Sequence, residues 1–261
     1  MFNAGAVIAW LLIHDGSVGC NYPATDHGQA HGDVKLAIRK GIFTMDVEVL
    51  SLGRQSEQEG AHRTRTFGRI LEVLNIEPGT ATVDLGAGPC IFARIASRHG
   101  LLVTAVDGRT DRVPPEDELG SIKFVQADVR HFDLSGFLLI LMLGLLYHLE
   151  IREQADLLRR ASKAKYVIVD TQVHVPALVC TPHPQRFSDV RRTSDGYEGV
   201  EFGEVDNPMA AIANKTSFWH TEQSMRKLFE AAGYSRVTLV DPAYQSIHGA
   251  RRFYILHADK P

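Results

Sequence analysis

The sequence predicts an α/β fold built on a doubly wound, mostly parallel sheet. From Thr82 onward, short apolar segments of strand length alternate with amphipathic segments of helix length, and this alternation is typical of a parallel sheet with helices on both faces. A long polar stretch, His174–His220, interrupts the alternation before the last predicted helix. The chain has 261 residues, of which 44% are apolar, enough for one such domain with a sizeable core.

The predicted elements follow one another in a regular order. A helix over Ser56–Leu74 places its apolar side chains on one face and ends before the chain-breaking segment Glu77-Pro78-Gly79. Strands are predicted at Thr82–Leu85, Leu102–Val106, Ile122–Gln126, Leu138–Leu143, Tyr166–Asp170, Val237–Val240 and Arg252–His257. Further helices are predicted at Ile91–His99, Ile151–Ser162 and Thr221–Ala232.

The chain divides into an N-terminal extension and one main domain. Residues 1–55 form the extension, in which Val34–Leu50 is predicted as a helix followed by a short extended segment. Two roles are open for this extension: a lid over a ligand site, or a contact in a homodimer. Residues 56–261 form the main domain. We expect its segment 174–220 to be an insertion on the substrate side, because long connections in compact domains are commonly functional.

Charge and cysteine usage exclude several classes of protein. The formal net charge is −3, so nucleic acid is not the expected partner, because nucleic-acid-binding surfaces are usually basic. Cys20, Cys90 and Cys180 are far apart in the sequence, which favours neither a zinc site nor a disulfide framework and fits a cytoplasmic protein. The apolar runs Ala4–Ile13 and Phe137–Leu149 are too short to span a membrane.

A glycine-rich turn after the first strand of the main domain indicates a ligand site. The segment VDLGAGPC contains Gly86 and Gly88, which allow a tight turn and a close approach of the backbone to a ligand. Asp84, Asp107 and Asp128 each lie at the end of a predicted strand. In a doubly wound sheet these strand ends meet at one crevice. We expect Asp84 to meet a cationic group, Asp107 to accept the ribose hydroxyls and Asp128 to lie beside an adenine ring.

A dinucleotide is the first alternative ligand, and three residues argue against it. The dinucleotide-binding motif has a third glycine that allows close packing of helix and strand, but Ile91 occupies that position. Pro89 removes a backbone amide that could otherwise bind a pyrophosphate. Asp84 places a negative charge close to the same group. A sulfonium amino acid with an ammonium group fits this crevice better than an NAD-type cofactor.

The segments VDLGAGPC, AVDG, QADV and LMLGLLYHL together resemble the motifs of the class I S-adenosylmethionine-dependent methyltransferases, and the resemblance covers Arg63–Ala258. It implies a Rossmann-like sheet of seven strands, the last one antiparallel, with S-adenosylmethionine as the cofactor. The residues that the motifs assign to cofactor binding are Asp84, Gly86, Ala87, Gly88, Asp107, Gly108, Asp128, Val129 and Leu143. No metal is predicted.

Two positions depart from the pattern of that family. Cys90 replaces the third glycine of the first motif, from which we expect a slightly narrower cofactor pocket. Leu138 replaces the aspartate that usually begins the fourth strand. Because of these departures, a non-catalytic protein that keeps the fold and binds a ligand without turnover stays an alternative.

His148 is the predicted catalytic residue. It follows the fourth strand of the main domain, on the side that faces the cofactor in this fold. A neutral alcohol is a poor nucleophile and needs a base, and a histidine can take a proton near neutral pH. The alternative is that His148 only packs at the start of a helix, as its neighbour Tyr147 could.

The predicted acceptor is a hydroxyl of a small molecule or a saccharide. The combination of LGLLYHL, a GYEG loop and SFWHT is similar to a subgroup that methylates hydroxyls of sugars and natural products. That subgroup is related to enzymes that modify wobble uridine in transfer RNA. An N-methyltransferase and a member of the transfer RNA branch are therefore the alternatives.

The insertion contains further candidate residues. Phe218 and Trp219 suit either an acceptor pocket or core packing ahead of a helix capped by Thr221. Polar candidates beside them are His174, Tyr197, Glu198 and His220. The carboxylates of Asp170, Glu201 and Glu204 could hold magnesium, but we interpret the two glutamates as surface charge.

Overall fold

A computed structural model describes residues 35–39, 45–52, 59–175, 184–207, 212, 214–246 and 249–258. Within these residues, nine strands form one sheet. In chain order they are β1 (Lys35–Arg39), β2 (Asp46–Ser51), β3 (Ala81–Leu85), β4 (Leu102–Asp107), β5 (Lys123–Gln126), β6 (Leu139–Leu143), β7 (Tyr166–Val173), β11 (Arg236–Ser246) and β12 (Gly249–His257). Helices of the main domain are α1 (Glu59–Leu74), α2 (Ile91–Arg98), α3 (Glu116–Leu119), α4 (Ile151–Ala161) and α5 (Glu222–Ala231).

The strand order of the sheet is β1-β2-β11-β12-β7-β6-β3-β4-β5. Strands β7, β6, β3, β4 and β5 pair in parallel, whereas β12 is antiparallel to both of its neighbours. The seven strands from β5 to β11 therefore have the arrangement that the sequence motifs imply, with an antiparallel last strand. The helices and strands predicted over 59–257 are all present.

The prediction of a helix within Val34–Leu50 is wrong. Two antiparallel strands, β1 and β2, form there, and β2 pairs in parallel with β11. The sequence of β2 alternates valine with acidic residues, and Val47 is buried while Asp46 is exposed. This period of two is typical of a strand. The expected seven strands thus become nine, because part of the N-terminal extension joins the sheet.

Helices cover both faces of the sheet. The apolar faces of α1 and α2 belong to one core cluster, and those of α4 and α5 to the other. Strand β6 is buried throughout, with Ile140 and Met142 in the second of these clusters and Leu139, Leu141 and Leu143 in the first. A strand buried on both faces has a continuous apolar sequence, which explains the run LILML.

The described part of the insertion forms a small antiparallel sheet. Its strands are β8 (Arg191–Arg192), β9 (Glu198–Gly203) and β10 (Thr216–His220), in the order β10-β9-β8. A 3₁₀ turn over Pro184–Arg186 precedes them. The predicted run Ala4–Ile13 and the cysteines Cys20 and Cys180 lie outside the described residues. Among the described helices, none is long and apolar enough to cross a membrane.

Candidate active site

The glycine turn between β3 and α2 is tightly packed. Gly86 and Gly88 have φ values of +70° and +48°, which side chains rarely adopt. A Cβ atom on Gly86 would lie 3.1 Å from Leu145 Cδ1. Cys90 also has a positive φ, of 56°, and is fully buried in the core cluster of α1 and α2. Cys90 is not among the residues that line the adjoining cavity.

A cavity of about 280 Å³ opens at the carboxyl ends of β3, β4 and β6. Most of the residues that the motifs assign to the cofactor line it, namely Gly86, Ala87, Gly88, Asp107, Gly108, Asp128, Val129 and Leu143. Tyr147 and His148 line it as well. The structure thus brings the predicted base and the predicted cofactor residues to one cavity, as expected for strand ends that converge in a parallel sheet.

Asp107 is held in a fixed orientation at the edge of this cavity. Its Oδ2 accepts a hydrogen bond from the Gly88 amide at 2.8 Å, and its Oδ1 accepts one from the Arg109 amide at 2.9 Å. The first of these bonds ties the end of β4 to the glycine turn. A carboxylate acceptor placed this way can bind hydroxyl donors with its remaining lone pairs.

Asp84 lies beneath the glycine turn and is not among the residues that line the cavity. It is almost fully buried and accepts a hydrogen bond from the Ala93 amide in the first turn of α2. Burial raises the pKa of Asp84 to about 7, against the opposing effects of this hydrogen bond and the charge of Arg63. Asp84 therefore supports the start of α2 from below.

Asp128 forms an ion pair with Arg130, which is not among the predicted site residues. Arg130 Nη2 donates to Asp128 Oδ2 at 2.6 Å, and Nη1 donates to Glu153 at 2.8 Å. The hydrogen bonds from Arg130 hold the pKa of Asp128 below its usual value. Arg130 also donates to the Asn214 side chain and to the Ile212 carbonyl. It thereby attaches the insertion to the edge of the cavity.

His148 contacts a buried carboxylate of the insertion. Its Nδ1 lies 3.0 Å from Oε1 of Glu204, whose side chain is 0% exposed. Glu204 also accepts hydrogen bonds from Ser217 Oγ, at 2.7 Å, and from the Asn207 side chain. Burial opposes ionisation, but these three partners hold the pKa of Glu204 below its usual value. The interpretation of Glu204 as surface charge is therefore wrong.

Asp170 is the centre of a buried ion-pair network. Arg251 donates to both of its carboxylate oxygens, at 2.9 and 3.0 Å, and Arg63 donates to Oδ2 at 2.7 Å. Burial by itself would raise the pKa of Asp170, but the charges and hydrogen bonds of the two arginines outweigh it and hold this pKa below its usual value. Among the described residues, no group of three or more potential metal ligands is present. Glu201 pairs with Arg191 on the small sheet, away from Asp170.

Most of the other candidates of the insertion are core residues, whereas Glu198 is partly exposed and lies 3.9 Å from Arg192. Phe218 and Trp219 are buried strand residues, and Trp219 stacks on Phe202 with ring centroids 5.1 Å apart. Thr221 Oγ1 accepts the Ser224 amide at 3.2 Å, which confirms the predicted helix cap. Buried polar side chains in the same region are His174 and His220. Of the two interpretations given for Phe218 and Trp219, core packing is therefore the correct one.

No family model matches the chain. A curated relative, the ribosomal RNA large subunit methyltransferase E of Wolbachia sp. subsp. Brugia malayi (strain TRS), is 26% identical over 83 residues. This match covers 30% of the chain and 36% of that protein, so the chain spans about a third of the length of that relative.

Solved structures resemble the chain over most of its length. The N-terminal domain of EvdMO1, with S-adenosylhomocysteine (SAH) bound, has a TM-score of 0.58 and 20% identity, covering 78% of this chain and 82% of that one. The magnesium protoporphyrin IX methyltransferase of Synechocystis PCC 6803 has a TM-score of 0.51 and 12% identity, covering 79% of this chain and 90% of that one. The 1,6-didemethyltoxoflavin-N1-methyltransferase of Burkholderia thailandensis has a TM-score of 0.52 and 15% identity, covering 82% of this chain and 96% of that one. The chain therefore has the class I methyltransferase fold.

Proposed function

We propose that this protein is an S-adenosylmethionine-dependent methyltransferase that acts on a hydroxyl of a small molecule or a saccharide. One observation carries the proposal: a single cavity is lined by the glycine turn, by the strand-end acids Asp107 and Asp128, and by His148. A site for methyl transfer needs a cofactor pocket and, for a hydroxyl acceptor, a base beside it. The described residues supply candidates for both.

The residues around the glycine turn fit this cofactor. The close approach that the turn permits, and the oriented carboxylate of Asp107, suit a ribose whose two hydroxyls donate to one acid. Asp128 and Val129 would lie on the adenine side, and Leu143 would close the apolar wall. When bound, S-adenosylmethionine supplies a methyl group that its sulfonium already activates. EvdMO1 and the Synechocystis enzyme, both of this fold, were crystallised with SAH.

His148 would act as the base. The acceptor oxygen gains the methyl group and gives its proton to His148, with SAH as the second product. A histidine is suited to this proton transfer because its ordinary pKa range lies near neutral pH. The low exposure of the His148 side chain, 13%, limits competition from water.

A small acceptor is the choice that best fits the structural neighbours. EvdMO1 was also crystallised in the presence of SAH and D-fucose, and the Burkholderia enzyme with 1,6-didemethyltoxoflavin. Because the second of these is an N-methyltransferase, nitrogen is the alternative acceptor atom. An amine acceptor depends less on a base than a hydroxyl does, and this difference can be measured.

The cofactor assignment is tested by calorimetric titration of the protein with SAH and, in parallel, with NAD. We expect micromolar binding of SAH and none of NAD. Asp107→Ala should weaken SAH binding at least about tenfold, because hydrogen bonds to a charged group contribute ~1.5–3 kcal/mol each. The control is Asp117→Ala, at an exposed position of α3 outside the cavity. Equal SAH affinity of Asp107→Ala and wild type would exclude the assignment.

The reaction is tested by SAH release during a screen of sugars, glycosides and phenols as acceptors. With an active acceptor, His148→Ala should lower kcat about 100-fold at unchanged SAH affinity, whereas His99→Ala, outside the cavity, should not. An unchanged rate in His148→Ala would favour an amine acceptor. Absence of turnover on every acceptor would favour the non-catalytic alternative.

A further inference from the structure

The insertion and the predicted base are joined by a carboxylate in the interior of the protein. Glu204 follows β9, and its side chain reaches His148 across 56 residues of sequence. A second bond joins the same parts, because Asn214 Nδ2 donates to the His148 carbonyl at 3.2 Å. The insertion therefore holds both the backbone and the ring of His148.

The contact determines which ring nitrogen of His148 carries the proton. Glu204 is ionised, so its Oε1 can only accept a hydrogen bond. The Nδ1 atom 3.0 Å away must then be the protonated one in the neutral ring. This leaves the lone pair on Nε2, the nitrogen that does not contact Glu204, and a base needs such a lone pair.

We propose that Glu204 is the positioning residue of the base: it holds His148 as the Nδ1–H tautomer and stabilises the imidazolium that forms when Nε2 takes the acceptor proton. The inference rests on the proposed function for the identity of that proton. It assigns a part of the proton-transfer machinery to the insertion, which then does more than cover the acceptor.

The surroundings of Glu204 argue against a purely structural role. Ser217 and Asn207 donate to the carboxylate as well, so Glu204 has partners without His148. A buried carboxylate is expensive to desolvate, and apolar side chains of similar size often stabilise a protein as well or better. Among the described residues, His148 is the one histidine that lines the cavity. The buried charge of Glu204 beside it is explained by the proton that His148 must hold.

The tautomer can be measured directly on the full-length wild-type protein. In ¹⁵N–¹H correlation spectra of ¹⁵N-histidine-labelled protein at pH 8, His148 should show a protonated Nδ1 and an unprotonated Nε2. The His148→Gln spectrum assigns the signal by its loss. A protonated Nε2 in wild type would overturn the proposal. This readout needs neither cofactor nor acceptor, so it is distinct from the failure of the proposed function, which would appear as absent SAH binding or turnover.

Two variants separate hydrogen bonding from charge. Glu204→Gln keeps an acceptor for Nδ1–H but no charge, so we expect the same tautomer and a kcat about tenfold lower. Glu204→Ala removes both, so we expect the Nε2–H tautomer to appear and kcat to fall about 100-fold, with SAH affinity within about twofold of wild type. The matched control Glu201→Gln, on strand β9 just before Glu204 but paired with Arg191, should change neither readout.

The variants can also contradict the proposal. If Glu204→Gln and Glu204→Ala both keep the wild-type kcat, Glu204 does not act on the base. If Glu204→Ala does not fold, the wild-type tautomer and the kcat of Glu204→Gln test the proposal in its place. A fall in SAH affinity that equals the fall in kcat/KM would indicate a disturbed cofactor pocket and overturn the positioning role.

Discussion

Replacing Asp84 with asparagine tests whether burial raises the pKa of this side chain in the folded protein. Asp84 is almost fully buried, and its Oδ2 has no hydrogen-bond partner among the described residues. Burial raises its pKa from the ordinary 3.8 to about 7. Asparagine has nearly the same shape but no charge, so the variant separates the carboxylate's protonation from its packing.

The magnitude follows from the two pKa values. The folded state binds the Asp84 proton more tightly than the unfolded state, so this residue contributes stability below pH 3.8 that is lost as the pH rises through about 7. Between pH ~5 and pH ~8.5, the shift should lower the free energy of unfolding of wild type by about 3 kcal/mol. Asp84→Asn lacks this titration and should lose about 3 kcal/mol less over the same interval.

Urea denaturation followed by tryptophan fluorescence, at pH ~5 and pH ~8.5, gives the four free energies that this comparison needs. The control is Asp117→Asn, whose side chain is exposed on α3, and we expect it to follow wild type at both values. Parallel pH dependence of wild type and Asp84→Asn would refute the reasoning, because it would mean that Asp84 is ionised throughout this range in the folded protein.

Three further perturbations have defined outcomes. Asp170→Asn removes the charge between two guanidinium groups and should lower the free energy of unfolding by about 3–5 kcal/mol in urea titrations; no loss would mean that the network is dispensable. Thr221→Ala removes the cap of α5 and should cost about 1 kcal/mol in the same assay, whereas Thr221→Ser should retain most of it. Burial lowers the pKa of His220 from 6.5 to about 3, so the folded state keeps it neutral. Stability should therefore fall by about 1 kcal/mol from pH ~7.5 to pH ~5.5, and His220→Asn should show a smaller fall.

The residues of the cavity could be predicted because the fold determines their position. Asp107 and Asp128 follow strands that lie next to each other in a parallel sheet, and the carboxyl ends of such strands converge. The strands are marked by apolar runs, so the positions of these acids follow from the sequence pattern. The same reasoning placed His148 on the cavity, because it follows β6.

The strands of the N-terminal region could not be predicted in the same way. In β1, the segment KLAIR has few residues and two long basic side chains, and a short pattern of this kind suits a helix or a strand. Its pairing with β2, and the pairing of β2 with β11, whose paired residues lie 190 positions later, favour strands. Long-range pairing of this kind leaves no local signal in KLAIR, whereas β2 does carry the period-two alternation of a strand.

The partners of the site residues were missed for a related reason. Arg130 meets Asn214 across 84 residues, and Glu204 meets His148 across 56. Neither contact has a fixed spacing or a motif, because each depends on how the insertion folds back onto the sheet. A buried glutamate cannot be distinguished by sequence from an exposed one when its burial arises from a separate element of the fold.

The two contacts lie at different places on the same cavity. Arg130 joins the insertion to Asp128 on the predicted adenine side, while Glu204 joins it to the predicted base. Trp219 packs against Phe202 and Phe187 in a separate apolar cluster, but such packing is tolerant of small shifts in position. The hydrogen bonds of Arg130 and Glu204 are less tolerant, since a hydrogen bond weakens steeply as its donor–H–acceptor angle becomes less linear. We infer that they, rather than the aromatic cluster, determine how the insertion is aligned with the cavity.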